Sequence, residues 1–526
     1  MSRSATEVLR QSLAAIVSPE RIVTDPAERA YLSQDAFWED AVAALVIRPA
    51  DRHQLSAALR AATTAGFAVV PRGGGMSYTR GYVPVREQTV LVDCRDLNRI
   101  VEINEEDLYI TAEAGCTWMQ VYEALKAKGL RTPYFGPMSG MFATVGGALS
   151  QNSMFFGSAA YGTVAESVLG LEVALADGSL VRTGAGANRG ARPFFRHYGP
   201  DLTGLFLSDT GALGVKVEAT IRLIRTPACT EFASFAFDNF HDMLDAEVEI
   251  GRARLAAECF GLDPYLNGKR TMAKDLKSGL AALGSVFKAQ GGLVKGLKEV
   301  ASIATAGVTG FAEGVEYSLH ATTDAAHPAD AAWRLAELRR IAFANRGREI
   351  EPVIPKVIRA TPFKHVGEFL VGHEGERWIP IHACLPASQV KPVYEATMAY
   401  LASKADVLDR YHIATSHLTG SSGTDIVFEP AFYYPDALKT FQLRNLEPAD
   451  ASRYRNLPAV PGATDAVIAM LGDLAKIFLE HGAVHQQLGK FYPYRESMSP
   501  ESWALLAGMK RVVDPLGLMN PGSLGL

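Results

Sequence analysis

The stretch VVPRGGGMSYT constrains this chain more than any other, because a short apolar run enters Arg72, Gly73, Gly74 and Gly75 and then meets Ser77. Three consecutive residues without Cβ let backbone N–H groups turn toward one anion, and the serine hydroxyl adds a donor. That arrangement suits a pyrophosphate. Taken alone, a glycine-rich strand end serves equally well as a tight turn. This one is neither a Walker A loop, which needs GKS or GKT, nor a GxGxxG opening a helix. A second cluster, ATVGGALSQNSMFFGSAAYGTVAESV, sets Gly146, Gly147, Gly157 and Gly162 among small and hydroxylated residues. Such a stretch lets backbone approach a flat, extended ligand such as a dinucleotide; close packing of a helix on a sheet is the competing use. A third piece, SDTGALGVKVEATIRL, carries Gly211 and Gly214 into a strand, whereas GAGANRG at 184–190 reads as a loop.

Around these loops strands and helices interleave. Residues 44–47 form an apolar run stopped by Pro49, and 53–67 place Leu55, Leu59 and Ala62 on one helical face. Residues 68–70, 89–92 and 108–112 read as strands from their β-branched and alternating character. Trp118, Val121, Tyr122 and Leu125 recur at helical spacing, predicting an amphipathic helix that ends near Gly129. LEVALADGSLVRTG is a hairpin pattern in which Asp177-Gly178 supplies the positive φ of the turn. Past residue 226 the glycine loops thin out. Ala-rich, Lys-punctuated helical stretches appear over 271–305, and strand-like pieces return at 314–319, 378–385 and 425–428, with a helix at 390–402. A last helix is opened by Ser499-Pro500-Glu501 and stopped by Asp514-Pro515.

At 526 residues, with 48% hydrophobic and 21% charged, the protein has room for two or three ordinarily packed domains. Fifty-two Lys and Arg against 57 Asp and Glu leave a charge of -5, so the balance advertises no nucleic-acid surface. Cys94, Cys116, Cys229, Cys259 and Cys384 are odd in number and scattered without a CxxC pair, which argues against a disulfide framework and against a zinc site. No metal is expected. The N-terminus lacks the continuous apolar core of an export signal, and no apolar run reaches the ~20 residues that span a bilayer. The stretch 280–308 carries Lys288, Lys295, Lys298 and Glu299 and reads at most as a surface-lying helix. A cytoplasmic protein without an integral membrane segment is the expectation.

PRGGGMSYT, TAEAGCTWMQVYEAL, GPMSGMFATVGGALSQN, AAYGTVAESVLGLEVALADGSLVRTG and LFLSDTGALGV, in that order and spacing, resemble the FAD-binding domain of the vanillyl-alcohol oxidase and para-cresol methylhydroxylase (PCMH) flavoprotein superfamily. The closing VVDPLGLMNPG resembles that superfamily's C-terminal signature. The resemblance implies an α+β fold: a two-lobed PCMH-type FAD-binding domain over 1–225, an α+β cap or substrate domain with an antiparallel sheet over 226–480, and a C-terminal segment, 481–526, returning to the first domain. It implies FAD as cofactor, with Pro71, Arg72, Gly73, Gly74, Gly75, Met76 and Ser77 about the pyrophosphate. Pro137, Ser139, Thr144, Gly146 and Gly147 would run along the ribityl and pyrophosphate portion. Gly157, Tyr161, Gly162 and Val164 would line the flavin-to-adenine stretch, with Gly214 and Val215 near the adenine end.

The sequence departs from the superfamily's named branches. Members attaching FAD through the first glycine loop place His where this one has Met76, which favours non-covalent FAD, while His412 and His417 stand where a cap-type attachment could occur. The Tyr-Arg pair with which para-phenol oxidases hold a phenolate is replaced by Val484 and His485, and their acidic residue by Ser150. LEHGAVHQQLGKFYPY partly resembles the D-lactate and glycolate dehydrogenases, whose HxGDGNxH metal motif is missing. That polar and aromatic segment reads as a site, since a core strand rarely holds so many polar groups. His485 is the candidate base or substrate hydroxyl partner and Lys490 the candidate cation beside the reduced ring. His382 and Glu429 lie on presumed cap strands, and Tyr434, Gln487 and Tyr494 are candidate substrate contacts. The expected activity is FAD-dependent oxidation, by hydride transfer to flavin N5, of an alcohol or of a C–H bond on the side chain of an aromatic compound, as oxidase or dehydrogenase. A D-2-hydroxy-acid dehydrogenase is the alternative, for which Arg359, Lys364 and Arg377 could clamp a carboxylate. A flavin-binding protein without turnover is the alternative of another class. The expected partners are a small-molecule substrate and either O₂ or a redox protein as electron acceptor; a homo-oligomer is left open.

Overall fold

The computed structural model describes residues 4–268, 314–363, 370–372 and 374–526. The helical readings of 271–305 and 280–308, and Lys364, lie outside the described residues. The protein divides into two compact units, the first made of Met1–Met154, Thr163–Thr226 and His485–Leu526, the second of Phe155–Gly162 and Pro227–Val484.

In the first unit, β1 (Ile22–Val23), β2 (Leu45–Ile47), β3 (Ala68–Arg72) and β4 (Thr89–Asp93) form a sheet of order β1-β2-β4-β3. β2, β4 and β3 run parallel. Val46, Val69, Val70, Val90, Leu91 and Val92 are all buried, so these strands read as continuous apolar runs rather than alternating ones. The helix Arg52–Thr64 is capped by Asp51, which accepts from the N–H groups of His53 and Gln54, and it lays Leu55, Leu59 and Ala62 into the core. A second, antiparallel sheet joins β5 (Ile100–Asn104), β6 (Tyr109–Glu113), β8 (Val168–Ala174), β9 (Leu180–Arg182) and β10 (Val215–Arg222) in the order β5-β6-β10-β8-β9. The short β7 (Leu130–Arg131) pairs with β11 (Ile224–Arg225). The hairpin β8–β9 turns at Gly178, whose φ is 81°, with Asp177 accepting from the Ser179 N–H. GAGANRG is not wholly irregular: Gly184–Ala187 forms one 3₁₀ turn.

The C-terminal segment completes this unit. Helix Pro500–Val513 starts at the Ser499 cap as the sequence predicts. Beyond it the backbone lies along β3, with Val69 N–H donating to Leu518 O and Asn520 N–H to Val69 O, at 2.8 and 2.7 Å. Buried Lys510 donates to Ala212 O, Met519 O and Asp514.

The second unit is one antiparallel sheet of β12 (Cys229–Phe237), β13 (Glu258–Leu262), β14 (Tyr317–Ala325), β15 (Arg348–Ile350), β16 (Arg377–Pro380), β17 (Ala383–Pro386), β18 (Ala414–Ser422) and β19 (Asp425–Tyr434). Their order is β15-β12-β14-β13-β18-β19-β16, with β17 also on β19. The strand expected over 378–385 is thus two, broken at Ile381 and His382, and the one expected over 425–428 runs on to Tyr434. Helices Phe240–Arg252 and Pro328–Ala344 pack on one face: Glu247 meets Thr419 and Ser421, Phe240 meets Phe428, and Phe343 meets Phe235. Ser234, His320 and Phe260 stand in register on the opposite face. The stretch Phe155–Gly162 joins this unit because Glu258 accepts from the Gly157 N–H and Ala257 O from the Ala159 N–H.

Candidate functional site

β3 delivers the backbone into the first glycine loop. Arg72 is buried at its entrance, donating from Nη1 to Gly73 O at 3.2 Å, with its guanidinium 5.2 Å from the centre of the Tyr82 ring. The Tyr82 hydroxyl donates in turn to Gly75 O at 2.8 Å. Gly75 has φ of 78° and faces the Arg72 guanidinium, so an L side chain there would be strained twice over. Among the described residues no acceptor takes the backbone N–H groups of Gly73, Gly74, Gly75, Met76 and Ser77. Successive free N–H groups after a strand make an anion nest, beside the permanently charged Arg72. The structure adds a second reason for the glycines. A Cβ at Gly73 would strike Thr144 Oγ1, and one at Gly74 would strike the Phe142 carbonyl. The two glycine clusters are therefore packed against each other.

In the second cluster, Ser139 O accepts from the N–H groups of Phe142 and Ala143, in the turn that follows Pro137. Thr144 caps helix Val145–Gln151 by accepting from the Gly147 N–H, and Gly146 packs against Ala114. The helix ends at Asn152, held in the left-handed region with φ of 51°. The side-chain oxygens of Gln151 and Asn152 are buried and take no donor among the described residues. Val164 is buried and donates its N–H to Ser153 O. Gly214 packs on Val173 and Ala174, and Val215 opens β10. Gly157, Tyr161 and Gly162 belong to the second unit, where the two glycines, at φ of 87° and 77°, bracket the single turn Ser158–Tyr161.

The C-terminal segment ties these pieces together. Gln487, at φ of 47°, donates its N–H to Gln151 O and its side-chain amide to the Tyr78 hydroxyl, at 2.8 and 3.2 Å. Gly489 N–H donates to Thr210 Oγ1. Asn520 donates to both Gly81 O and Thr210 O, at 2.8 and 2.6 Å. Its Oδ1 accepts from Lys490 at 2.7 Å, and the same ammonium reaches Val83 O at 2.8 Å and the carbonyls of Gly81 and Arg80 at 3.3 and 3.4 Å. The reading of Lys490 as a cation offered to a ring needs correction on this ground: its donors are spent inside the protein, bracing residues 80–83. Burial, and then the charge of Arg80, push its pKa down to about 7. Behind the same loop, burial raises buried Asp35 to about 7, although it accepts from the N–H groups of Phe37, Trp38 and Arg80. His485 stacks on Tyr492, ring centres 4.0 Å apart and planes 15° from parallel, and Phe491 lies against Trp38. Tyr494 opens the short helix Tyr494–Ser497.

His382, Glu429 and Tyr434 lie in the second unit. His382 is buried between β16 and β17, and Glu429 sits on β19 opposite Leu418. Tyr434 is wholly buried beneath the Arg377 guanidinium, with its hydroxyl accepting from Thr464, so it is core rather than a pocket wall. The carboxylate clamp loses its described members. Arg359 is bound to Glu258 and Asp324, and Arg377 faces Asp436 at 3.5 Å. His412 is exposed in a left-handed turn. His417 is enclosed by Phe240, Tyr317, Tyr394 and Phe428, where burial holds its pKa down at about 4. The sequence pattern did not single out Gln151, Asn152, Asn520 or His320. The first two directly follow GGALS, and amide side chains at the end of a glycine cluster are the signal that could have marked them.

The first unit thus offers free N–H donors with an arginine at one place and buried acceptors at another, a set that fits a molecule carrying both phosphates and hydrogen-bond donors. Residues 43–184 match the FAD binding domain family, and 480–524 the C-terminal domain of FAD linked oxidases. The sequence is 30% identical over 235 residues to the glycolate oxidase subunit GlcD of Bacillus subtilis, covering 44% of this protein and 48% of that one. It is also 30% identical over 200 residues to the cytochrome-type D-lactate dehydrogenase 1 of Saccharomyces cerevisiae, covering 38% and 32%. The matches therefore span no more than about half the length of these curated relatives. The solved structure of p-cresol methylhydroxylase with substrate bound superposes with a TM-score of 0.73 at 16% identity, over 100% of this protein and 98% of that one. With these two domains at the two ends of the sequence, on a fold shared with p-cresol methylhydroxylase, the protein carries the FAD binding domain and the C-terminal domain of FAD linked oxidases and takes FAD as its cofactor.

Proposed function

We propose that this protein is an FAD-dependent oxidase or dehydrogenase that oxidises an alcohol or a C–H bond on the side chain of an aromatic compound. Bound FAD would supply the hydride acceptor. In this reading the nest at 73–77 and Arg72 hold the pyrophosphate, while the turn at Ser139 and the Thr144-capped helix follow the cofactor's length. His485, kept in one orientation by its stack on Tyr492, accepts the proton of the substrate hydroxyl. Met76 in the loop supports non-covalent FAD, so acid precipitation should leave the flavin in the supernatant; fluorescence retained on the denatured polypeptide would overturn that point.

The observation favouring a neutral substrate over a hydroxy acid is the internal neutralisation of Arg359 by Glu258 and Asp324 and of Arg377 by Asp436. Two arginines already paired with carboxylates are poor partners for a third. A specific observation favours the second reading, a D-2-hydroxy-acid dehydrogenase: the curated relatives above carry those names. Anaerobic mixing of the flavin-loaded protein with benzyl-type alcohols, and separately with D-lactate and glycolate, distinguishes them. Bleaching of the flavin band by the alcohols alone is expected; faster bleaching by D-lactate would replace the first reading with the second.

A further inference from the structure

Helix Pro500–Val513 buries Lys510 in the first unit and presents the opposite side outward. That outward side is apolar. Leu505, Met509 and Val512 are 64%, 38% and 80% exposed, and Leu516, just past the helix end, is 68% exposed. Ala504 is exposed beside them. Positions i, i+4 and i+7 share one helical face, the spacing of a stripe that normally faces a core. Single exposed hydrophobics are ordinary on a surface, whereas a continuous stripe marks an interaction site. Gly508 lies in the middle of the same face. A Cβ there would meet only the Arg511 guanidinium, at 3.7 Å, so no described residue requires glycine at a place where glycine weakens the helix. Close approach of a second backbone would account for it.

The charges identify that backbone. Glu501 at the start of the helix and Arg511 near its end are exposed, and neither has an ion-pair partner among the described residues. Ten residues separate them, about 15 Å of helix. We infer that the face is covered by a second copy of this chain, its helix antiparallel about a two-fold axis near residue 506. In that register Glu501 meets Arg511 of the partner subunit, and the reciprocal pair forms by symmetry. Ala504 then lies opposite Gly508 of the partner subunit, so small residues meet where the two helices approach closest. Leu505, Met509 and Val512 pack around that point. A parallel pair would instead set like charges together at both ends. One helix face offers less than the ~800 Å² per partner of a tight complex, so the dimer is reversible, with a dissociation constant in the micromolar range.

Sedimentation velocity of the full-length protein, from ~0.1 to ~100 μM, reads the association directly. The parent should pass from monomer to dimer over that range. Val512→Glu, at an exposed position that folding does not depend on, should raise the dissociation constant about 100-fold, since a carboxylate then enters the apolar centre twice. Glu501→Arg should raise it about tenfold and Arg511→Glu likewise, while the two changes together should bring it back to within about threefold of the parent's. Restoration by the exchange is a result that damage to folding cannot give. A parent that stays monomeric throughout would overturn the inference, and its flotation with vesicles of phosphatidylcholine and phosphatidylserine would assign the face to a lipid surface. A dimer unmoved by Val512→Glu would also overturn it, since the contact would then lie elsewhere. So would an exchanged pair that associates no better than either single variant.

Discussion

Asn520 is the point at which the C-terminal segment can be loosened without touching the glycine loops themselves. Its side chain donates to Gly81 O and Thr210 O and accepts from the Lys490 ammonium, and its backbone sits at φ of 40°. Asn520→Ala deletes two neutral hydrogen bonds worth about 1 kcal/mol each and one charged bond worth about 2 kcal/mol. It also places an alanine in the left-handed region, at about 1 kcal/mol. The loss of about 5 kcal/mol falls on the first unit. For a unit of this size roughly 2–4 °C accompanies each kcal/mol, so a fall of about 10–20 °C in its melting temperature is expected. The flavin should also dissociate during gel filtration. Asn520→Gly separates the causes, since it loses the same bonds without the backbone strain and should recover about 1 kcal/mol of the deficit. Differential scanning calorimetry of the FAD-loaded protein reads both. An alanine variant whose melting temperature matches the parent's and which keeps its flavin would show that the bonds of Asn520 do not hold the segment in place.

Three further outcomes are expected. Glu247 is wholly buried, accepts from Thr419 and Ser421, and is raised by burial to about 7. The folded protein therefore keeps its proton while the unfolded one has lost it, and the stability this confers is full below pH ~4.5 and lost as pH rises through ~7, about 3 kcal/mol in all. Glu247→Gln should then gain on the parent by about that amount between pH ~5 and ~8, as read by melting at the two pH values; parallel curves would refute it. Gly74→Val should expel FAD, because its side chain meets the Phe142 carbonyl and forces the two clusters apart, while the second unit keeps its own melting transition; full flavin occupancy would count against it. His485→Ala should slow flavin reduction on the order of 10²-fold or more with FAD still bound. Stopped-flow traces as fast as the parent's would send the search for the base to His382 and Glu429.

Local chemistry made much of the fold legible. The Ser499 cap, the Asp177-Gly178 hairpin and the strand leading into Gly73 depend on neighbours within a few residues, and each stands where the residue types put it. What escaped depends on partners far along the sequence. Lys490 looked like a free cation because its acceptors lie at 80–83 and 520. Arg359 and Arg377 looked available for a carboxylate because Glu258, Asp324 and Asp436 are distant in sequence. Gly73 and Gly74 suggested room for a ligand, whereas their missing Cβ atoms also make room for the second cluster, a constraint visible only in three dimensions. Gln151 and Asn152 drew no notice because an amide side chain is informative only once its surroundings are known.

The clasp at Asn520 has a consequence for how the protein is made. The residues it joins, Gly81 and Asn520, are 439 positions apart. At ~5–20 residues per second a ribosome takes roughly 20–90 s to travel between them. For that interval the nascent first loop exists without the brace that fixes residues 80–83, and the whole second unit emerges in the meantime. Cofactor loading that needs this brace therefore waits until Asn520 has been made, and a polypeptide stalled or nicked before Asn520 would present an open cradle to the cell's quality-control machinery.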